Sequence, residues 1–338
     1  MSAFTSLLQK IELLQKRIHD HRPFDENLNQ VIQERLKIEW TYNSNAIEGN
    51  TLTLGETAFF LREGLTSEGR PLKDFLETKN HVEAIDLLES VVRGERKLTE
   101  HFIKSLHSVL LKGINFTYAR GTNGQLVKKT LHIGEYKKQP NHVLTLSGDI
   151  YHYSEPLQVP VEMQQLLEWY QNTALHPVEK AALFHYRFVR IHPFDDGNGR
   201  LSRLLMNLIL MKHGYPPCIV KTKNRKKYIQ ALERTDQTQD TNIFMTFIAQ
   251  ELFETMTLVI NLLDDKSGTR VSFSHGLNKT ERHELILSIL VKPLVISQIL
   301  DLLPQIKRPT LKKDLAELVQ SDKIRKSGSG KGTTYMKK

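Results

Sequence analysis

The sequence predicts an all-α protein with a β-hairpin in its middle and a small basic domain at its C-terminal end. Apolar residues recur at helical spacing along most of the chain, whereas residues 113–156 combine Gly, Asn and Pro with short β-prone segments. The length of 338 residues suits roughly two domains, and a hydrophobic content of 39% is enough to form a core. Wholesale disorder is therefore excluded.

The predicted helices follow from the apolar periodicity. In the first of them Leu7, Ile11 and Ile18 share a face, and Thr53 with Glu56 forms a capping box that begins a short helix. The other helical segments before residue 264 share this periodicity and cover residues 28–40, 75–92, 102–111, 161–170, 177–189, 200–213, 225–235 and 242–263. Residues 130–133 and 142–146 are rich in β-formers and predict the hairpin.

The C-terminal fifth of the chain carries most of the net charge. The whole chain has 47 Lys and Arg against 38 Asp and Glu, whereas residues 270–338 alone have 14 against 6. A polar linker at 265–279 precedes three short helical patterns at 281–290, 296–303 and 310–321, and a basic, glycine-rich tail follows them. This order is typical of a winged helix-turn-helix domain, predicted at 280–338.

The predicted winged helix has two interpretations. In the first, the helix at 310–321 enters a DNA major groove with Lys312 and Lys313, and further basic side chains contact phosphates: Lys323, Arg325, Lys326 and Lys331. In the second, the domain docks a protein or dimerises, and its charge only keeps it solvated. The acidic Asp314 and Glu317 on the same helix are unfavourable for the DNA interpretation.

Several protein classes are excluded by composition and motifs. The lone cysteine, Cys218, rules out a disulfide framework and a cysteine-rich metal site. We expect a cytoplasmic protein without membrane contact, because neither an apolar run of spanning length nor a signal peptide is present. The sequence also lacks a Walker motif, an HExxH zinc motif and a G-x-S-x-G elbow.

The segment most indicative of chemistry is residues 190–203, with the sequence RIHPFDDGNGRLSR. A helix ends at His192 because Pro193 disfavours helical geometry before it, and a new helix begins near Arg200 after two glycines. The N-terminus of that helix attracts anions, and Arg200 with Arg203 can grip a polyphosphate from one face. A loop carboxylate can hold Mg²⁺ and His192 can act as a general base, so the segment predicts phosphoryl or nucleotidyl transfer.

This segment resembles the Fic family motif HPFx(D/E)GNGRxxR at each specified position from His192 to Arg203. The resemblance covers roughly residues 30–265 and implies an all-helical fold with a β-hairpin flap. It also implies transfer of AMP from Mg·ATP to a Ser, Thr or Tyr hydroxyl of a target protein, possibly the chain itself. The glycine-asparagine-glycine core favours AMP transfer over the phosphate transfer of Doc-type kinases.

The resemblance assigns a role to each motif residue. His192 would deprotonate the target hydroxyl, and Asp196 would hold the metal. The other nucleotide-binding residues of the motif would be Phe194, Gly197, Asn198, Gly199, Arg200 and Arg203, the last of them at the γ-phosphate. Asp195 occupies a variable position and receives no role. The catalytic core is expected at 101–264, after an N-terminal helical region at 1–100.

A second segment, with the sequence SNAIEG from Ser44 to Gly49, resembles the inhibitory motif of the same family. Its glycine would also be consistent with an ordinary helix end. Beside the Fic motif, the interpretation is that Glu48 pairs with Arg203 and removes the partner that orients the γ-phosphate. We therefore expect an autoinhibited enzyme that is activated when this helix moves.

Two further segments resemble parts of Fic proteins less closely. Gly134, Tyr136 and Lys137 resemble the flap that pins a target's backbone by strand addition, although a plain surface hairpin explains them too. Leu232 and Asp236 resemble residues of the helix that lines the adenine pocket. Two alternatives to AMP transfer remain, namely AMP removal at the same site and a DNA-binding regulator with a nucleotide-binding core. A homodimer is the expected assembly.

Overall fold

The computed structural model describes residues 2–94, 96–120, 125–144, 150–264, 279–290, 292–303, 306, 308–328 and 330–338. Most of the described chain is helical. The α-helices in chain order are α1 Ala3–Asp20, α2 Glu26–Ile47, α3 Leu54–Glu63, α4 Leu72–Arg93, α5 Glu100–Leu110, α6 Val159–Asn172, α7 Pro177–Ile191, α8 Asn198–Lys212, α9 Arg225–Thr238, α10 Asn242–Asp264, α11 Lys279–Ile289, α12 Ile296–Leu302 and α13 Arg308–Gln320. Each predicted helical segment therefore corresponds to a helix.

The chain divides into two compact units. Unit 1 comprises Met1–Asn50 and Leu72–Asp264, and unit 2 comprises Thr51–Pro71 and Asp265–Lys338. This grouping differs from the consecutive domains expected from the sequence, because α3 packs on α11, where a Cβ at Gly55 would lie 3.1 Å from Leu285. The predicted linker lies outside the described residues except for its last residue, Lys279, which begins α11.

Unit 1 is organised around α8. This helix is almost entirely buried, and it packs against α7, α4, α5 and α2. Among the described residues, α10 is the helix whose length and apolar composition would suffice to cross a membrane, yet 56% of its most apolar stretch is buried. Packing against α1, α7 and α9 accounts for that composition.

Two hairpins follow α5 in unit 1. Strand β1, Phe116–Arg120, pairs antiparallel with β2, Leu126–Thr130, and β3, His142–Leu144, pairs with β4, Ile150–His152. The predicted strand at 130–133 is wrong beyond its first residue. The Leu131 N–H still donates to the Asn115 carbonyl beside the β1–β2 pair, and the chain turns from Ile133, where Gly134 follows with φ of 78°.

Unit 2 combines helices with a small sheet. Strands β6, Ile324–Ser327, and β7, Thr334–Lys337, form an antiparallel pair, and β5, Leu294–Val295, adds to the other side of β7. The sequence did not indicate β5, which is only two residues long. Helices α11, α12 and α13 enclose one apolar core that includes Leu285, Ile299, Leu311, Leu315, Leu318, Ile324 and Tyr335.

Candidate active site

The backbone of the loop that joins α7 to α8 is held by hydrogen bonds with a side chain. α7 ends where His192 adopts a left-handed conformation with φ of 50°, and Pro193 follows it. Asn198, the first residue of α8, closes the loop against Phe194. The Phe194 N–H donates to Asn198 Oδ1 at 3.0 Å, and Asn198 Nδ2 donates to the Phe194 carbonyl at 2.8 Å. The Asn198 side chain thus holds the loop, so its contribution to an anion site comes from its backbone N–H.

Phe194 lies beneath this loop. Its ring is fully buried and stacks on His107 with a centroid distance of 3.9 Å, while Tyr136 approaches it at 5.5 Å. The side chain therefore supports the loop from inside unit 1.

His192 has a defined tautomer and a largely buried ring. Its Nδ1 lies 3.3 Å from the Val189 carbonyl, which favours a proton on Nδ1 and an unprotonated Nε2. The imidazole stacks on Tyr153 with a centroid distance of 3.8 Å and an interplanar angle of 17°. Burial, with a smaller effect from the Lys137 ammonium, lowers the pKa of His192 to about 3. The ring is therefore neutral at physiological pH.

Lys137 lies against the same loop. Its N–H donates to the Pro193 carbonyl at 2.8 Å, and its buried Nζ donates to Asn141 Oδ1 at 2.7 Å. Asn141 Nδ2 in turn donates to the Phe194 carbonyl at 3.0 Å. Burial lowers the pKa of Lys137 to about 8. The side chain is directed into the protein.

The predicted flap residues lie in turns before the β3–β4 hairpin. Gly134 has φ of 78° and donates its N–H to His107 Nδ1 at 2.9 Å, and a Cβ there would lie 2.4 Å from Ser108 Oγ. Lys104 Nζ lies over the Tyr136 ring, 4.1 Å from its centroid. The β3–β4 hairpin begins at His142, so Gly134, Tyr136 and Lys137 precede it, and their role in target docking stays a prediction.

Asp196 is placed where a metal ligand is expected. Its carboxylate is 30% exposed, its Oδ1 accepts the Gly197 N–H at 2.6 Å, and Arg200 Nη2 lies 3.9 Å away. Gly197 has φ of 77°, a conformation that favours glycine and that turns the chain into α8. Mg²⁺ is commonly held by one or two carboxylates together with substrate phosphates, so this exposed carboxylate at a helix N-terminus suits it.

Asp195, to which the sequence assigned no role, fastens the first hairpin to the loop. Its side chain is 2% exposed and pairs with Lys129 Nζ at 2.8 Å, and the His132 N–H and Nδ1 lie 3.1 and 2.7 Å from Oδ2. Burial raises the pKa of this carboxyl, but the contacts with Lys129 and His132 outweigh it and the pKa is lowered. Asp195 is therefore ionised, and it holds the β1–β2 hairpin against the loop.

Arg200 is held by a partner that the sequence analysis missed. The guanidinium is 2% exposed, and its Nη1 lies 3.0 Å from Oε1 of Glu77 on α4. Glu77 also accepts a hydrogen bond from Asn50 Nδ2 at 3.0 Å. The ion pair directs Arg200 along the N-terminal turn of α8, and no short sequence motif links these two residues.

Arg203 and Glu48 form the ion pair that the inhibitory motif predicts. Arg203 Nη2 donates to Glu48 Oε1 at 2.8 Å and to the Ser44 carbonyl at 2.8 Å, and Nε donates to Ser44 Oγ at 3.1 Å. Arg203 is 2% exposed, whereas the Glu48 side chain is 38% exposed. The arginine is thus fixed from beneath by Ser44, and Glu48 covers its solvent side.

Glu48 also lies directly over the start of α8. A Cβ at Gly199 would be 2.3 Å from Glu48 Oε1, so only glycine admits the carboxylate there. α2 ends at the preceding residue, and Gly49 continues with φ of 95°. The carboxylate therefore occupies the position where the helix N-terminus and Arg203 would together bind an anion.

Buried histidines that the sequence did not single out surround the two arginines. His107 donates from Nε2 to the Asp196 carbonyl at 3.1 Å, and burial lowers its pKa to about 4. His185 shares a 2.8 Å hydrogen bond with the Tyr228 hydroxyl, and burial lowers its pKa to about 3. His81 contacts Thr41, and burial followed by the charge of Arg203 lowers its pKa.

The predicted adenine-pocket residues lie on α9. Leu232 is half-buried, and Asp236 accepts a 2.6 Å hydrogen bond from the Tyr186 hydroxyl and pairs with Arg190 Nη1 at 3.1 Å. Tyr151 of β4 also interacts with Asp236. These contacts join α7, α9 and the β3–β4 hairpin next to His192.

Comparisons with known proteins agree with this geometry. Residues 97–210 match the Fic/DOC family. Proteins named protein adenylyltransferase Fic from Drosophila willistoni and Drosophila virilis are each 32% identical over 222 residues, or 65% of this chain. That alignment covers 41% and 42% of those proteins, so the chain spans about two fifths of the relatives' length.

Solved structures extend the similarity over more of the chain. A Fic domain containing signaling protein from Bacteroides thetaiotaomicron is 33% identical with a TM-score of 0.65, and the match covers 78% of this chain and 97% of that chain. A Fic family protein from Desulfovibrio desulfuricans shares the fold over 100% of this chain and 96% of its own, with a TM-score of 0.61 and 22% identity.

Proposed function

The chain belongs to the Fic/DOC family, and we propose that it is a protein adenylyltransferase that moves AMP from ATP to a hydroxyl group of a target protein. The observation that carries this proposal is the fixed loop beside the N-terminus of α8. It presents a neutral imidazole, a partly exposed carboxylate and two buried arginines in one place.

His192 begins the proposed reaction. Its unprotonated Nε2 accepts the proton of a Ser, Thr or Tyr hydroxyl, and the hydroxyl oxygen attacks the α-phosphorus of ATP. A new phosphorus–oxygen bond forms while the bond to the bridging oxygen breaks, and pyrophosphate leaves with the electron pair. The Val189 carbonyl and the Tyr153 ring hold the imidazole in orientation throughout.

The phosphates have a matching surface. The N–H groups that begin α8, at Asn198, Gly199 and Arg200, have no carbonyl partner within the helix and point towards a bound anion. Asp196 would hold Mg²⁺, which supplies charge neutralisation to the phosphates when bound. In this proposal Leu232 and Asp236 lie beside the adenine.

Autoinhibition follows from the position of Glu48. A γ-phosphate that reaches Arg203 meets the Glu48 carboxylate, which already accepts the arginine's Nη2 hydrogen bond at 2.8 Å. Two anions at one guanidinium repel each other, so ATP binds with its γ-phosphate displaced and its α-phosphate misaligned for in-line attack. Movement of the C-terminal end of α2 would restore the phosphate site.

Two parts of the molecule outside the loop, the β3–β4 hairpin and unit 2, are candidates for contact with other molecules. We propose that the β3–β4 hairpin, which leads directly into Tyr153 stacked on His192, is the flap that docks the target backbone by strand addition. Unit 2 would be a winged-helix domain that contacts a partner, with β6 and β7 as its wing. We further propose a cytoplasmic homodimer.

Incubation with Mg·ATP and a cell lysate tests the reaction type. Label on the α-phosphate of ATP should enter a protein band, and label on the γ-phosphate should not. The Glu48→Gly variant is the appropriate enzyme because it lacks the inhibitory carboxylate, and Glu48→Gly with His192→Ala is the matched control. Transfer of the γ-label, or α-label transfer that survives His192→Ala, would overturn the proposal. Loss of label from a previously modified protein would instead support AMP removal.

A further inference from the structure

The exposed face of α13 in unit 2 is free of carboxylates. Leu311, Leu315 and Leu318 are buried in the unit 2 core. The exposed residues of this helix, which is described in full, are Arg308, Pro309, Lys312, Lys313, Ala316 and Gln320. Among the described residues, neither Lys312 nor Lys313 forms an ion pair. One side of α13 therefore presents a positive charge to solvent, although Lys313 also interacts electrostatically with Glu317.

The two acidic residues of α13 are neutralised within unit 2. Asp314 is 1% exposed, and its two carboxylate oxygens accept hydrogen bonds from Arg282 Nε at 2.6 Å and Nη2 at 2.9 Å. Glu317 pairs with Lys279 Nζ at 2.7 Å, and His283 Nε2 lies 3.5 Å from both acids. Asp314 and Glu317, which were unfavourable for the DNA interpretation of the sequence, thus face α11. They do not repel a negatively charged partner on the exposed face.

Further basic side chains follow α13 along the chain. A turn joins α13 to β6, and Lys323, Arg325 and Lys326 are exposed on this turn and strand. Asp322, an exposed acid in the turn, is bound by Lys338. The helix and the strand after it therefore form one basic segment.

We propose that unit 2 binds double-stranded DNA with α13 in the major groove. An α-helix fits this groove, where Lys312 and Lys313 reach phosphates, Gln320 can pair with a base edge and Ala316 can contact a thymine methyl group. Lys323, Arg325 and Lys326 contact the backbone beside the groove. This inference names the partner of the winged-helix domain in the proposed function, and it does not depend on the transferase reaction.

Anisotropy of a labelled 20-base-pair duplex, titrated with the full chain at several KCl concentrations, tests the proposal. The full chain is needed because α3, outside a C-terminal fragment, packs on α11. With five phosphate contacts, log K should fall with log[salt] at a slope of about −4.5. Lys312→Glu with Lys313→Glu should weaken binding at least tenfold and reduce the slope by about 2. Lys10→Glu with Lys16→Glu, an equal charge change on exposed positions of α1, should leave the slope nearly unchanged.

Three outcomes would overturn the inference. They are absence of duplex binding at low salt, binding that does not weaken with salt, and equal weakening by the α1 control pair. A protein partner found on this face in the absence of DNA binding would count against it as well. His192→Ala should retain full DNA affinity, and Lys312→Glu with Lys313→Glu should retain AMP transfer. Failure of one proposal is thereby distinguished from failure of the other.

Discussion

At the scale of single residues, His192 is oriented by one neighbour that is close in the sequence, Val189, and by one that is distant, Tyr153. The Val189 carbonyl favours the tautomer with an unprotonated Nε2, and the ring of Tyr153 covers one face of the imidazole. The motif predicts that His192 is the base, but no motif predicts a role for Tyr153. This residue follows β4, whose pairing with β3 brings it over the loop.

Loss of the Tyr153 ring should slow the reaction. Tyr153→Ala removes a stacking contact worth about 0.5–1.5 kcal/mol, so kcat should fall roughly three- to tenfold while the imidazole gains rotational freedom. Tyr153→Phe retains the ring and should restore most of the rate in the Glu48→Gly background. Steady-state kinetics with labelled ATP make the comparison, and equal losses for both variants would assign the effect to the hydroxyl instead.

At the scale of elements, the N-terminus of α8 is the meeting point of α2, α4 and the loop after α7. α2 supplies Ser44 and Glu48, and α4 supplies Glu77. Each helix contributes an acid that faces one of the two buried arginines. The arginines are therefore held in place before any nucleotide binds.

The Glu77–Arg200 pair should matter for stability. Glu77→Ala leaves a buried guanidinium without its partner, which should lower the free energy of unfolding by about 3–5 kcal/mol. Glu77→Gln keeps a hydrogen-bond acceptor and should cost less. Urea unfolding followed by circular dichroism measures both. Lys79→Ala, at an exposed position on α4 that pairs with Glu83, is the control, and a loss as small as its own would contradict the role of the pair.

The helices and the catalytic loop were predictable from sequence because their signals are local. Periodicity locates α7 and α8, and the residues from His192 to Arg203 are adjacent in the chain. The pairs Glu77–Arg200 and Tyr153–His192 were not predictable, because each joins residues on different elements and, unlike Glu48–Arg203, neither is implied by a family motif. The strands were hard to place since β2 is almost entirely exposed and shows no alternation of apolar and polar residues.

At the scale of the whole molecule, most of the excess positive charge lies in one unit, and the positive charges of the proposed active site lie in the other. The excess of basic residues lies in unit 2, whereas the positive charges at the active site are the buried Arg200 and Arg203 of unit 1. Unit 1 also contains buried histidines beside these arginines. Neutral imidazoles at His81, His107 and His185 avoid adding charge to a region that is already positive.

These histidines should make the fold sensitive to acid. Their folded pKa values lie below the unfolded value of about 6.5, so their contribution is complete above that pH and is lost as the pH falls towards 4. Each histidine should remove up to about 1.4 kcal/mol of stability per pH unit in that window. Urea unfolding at pH 7.5 and pH 5 tests this, with His185→Gln expected to reduce the difference. Equal stability at the two pH values would contradict it.

In our proposal, Glu48 holds a competent transferase inactive through Arg203. The most direct measurement is the initial rate of α-labelled AMP incorporation into protein by the wild type, Glu48→Gly and Glu48→Gln. Removing a charge-assisted hydrogen bond worth about 1.5–3 kcal/mol should raise the rate on the order of ten- to a hundredfold in Glu48→Gly. Glu48→Gln should be intermediate, because it retains bulk over Gly199 but lacks the charge. Rates equal to the wild type in both variants would contradict the account.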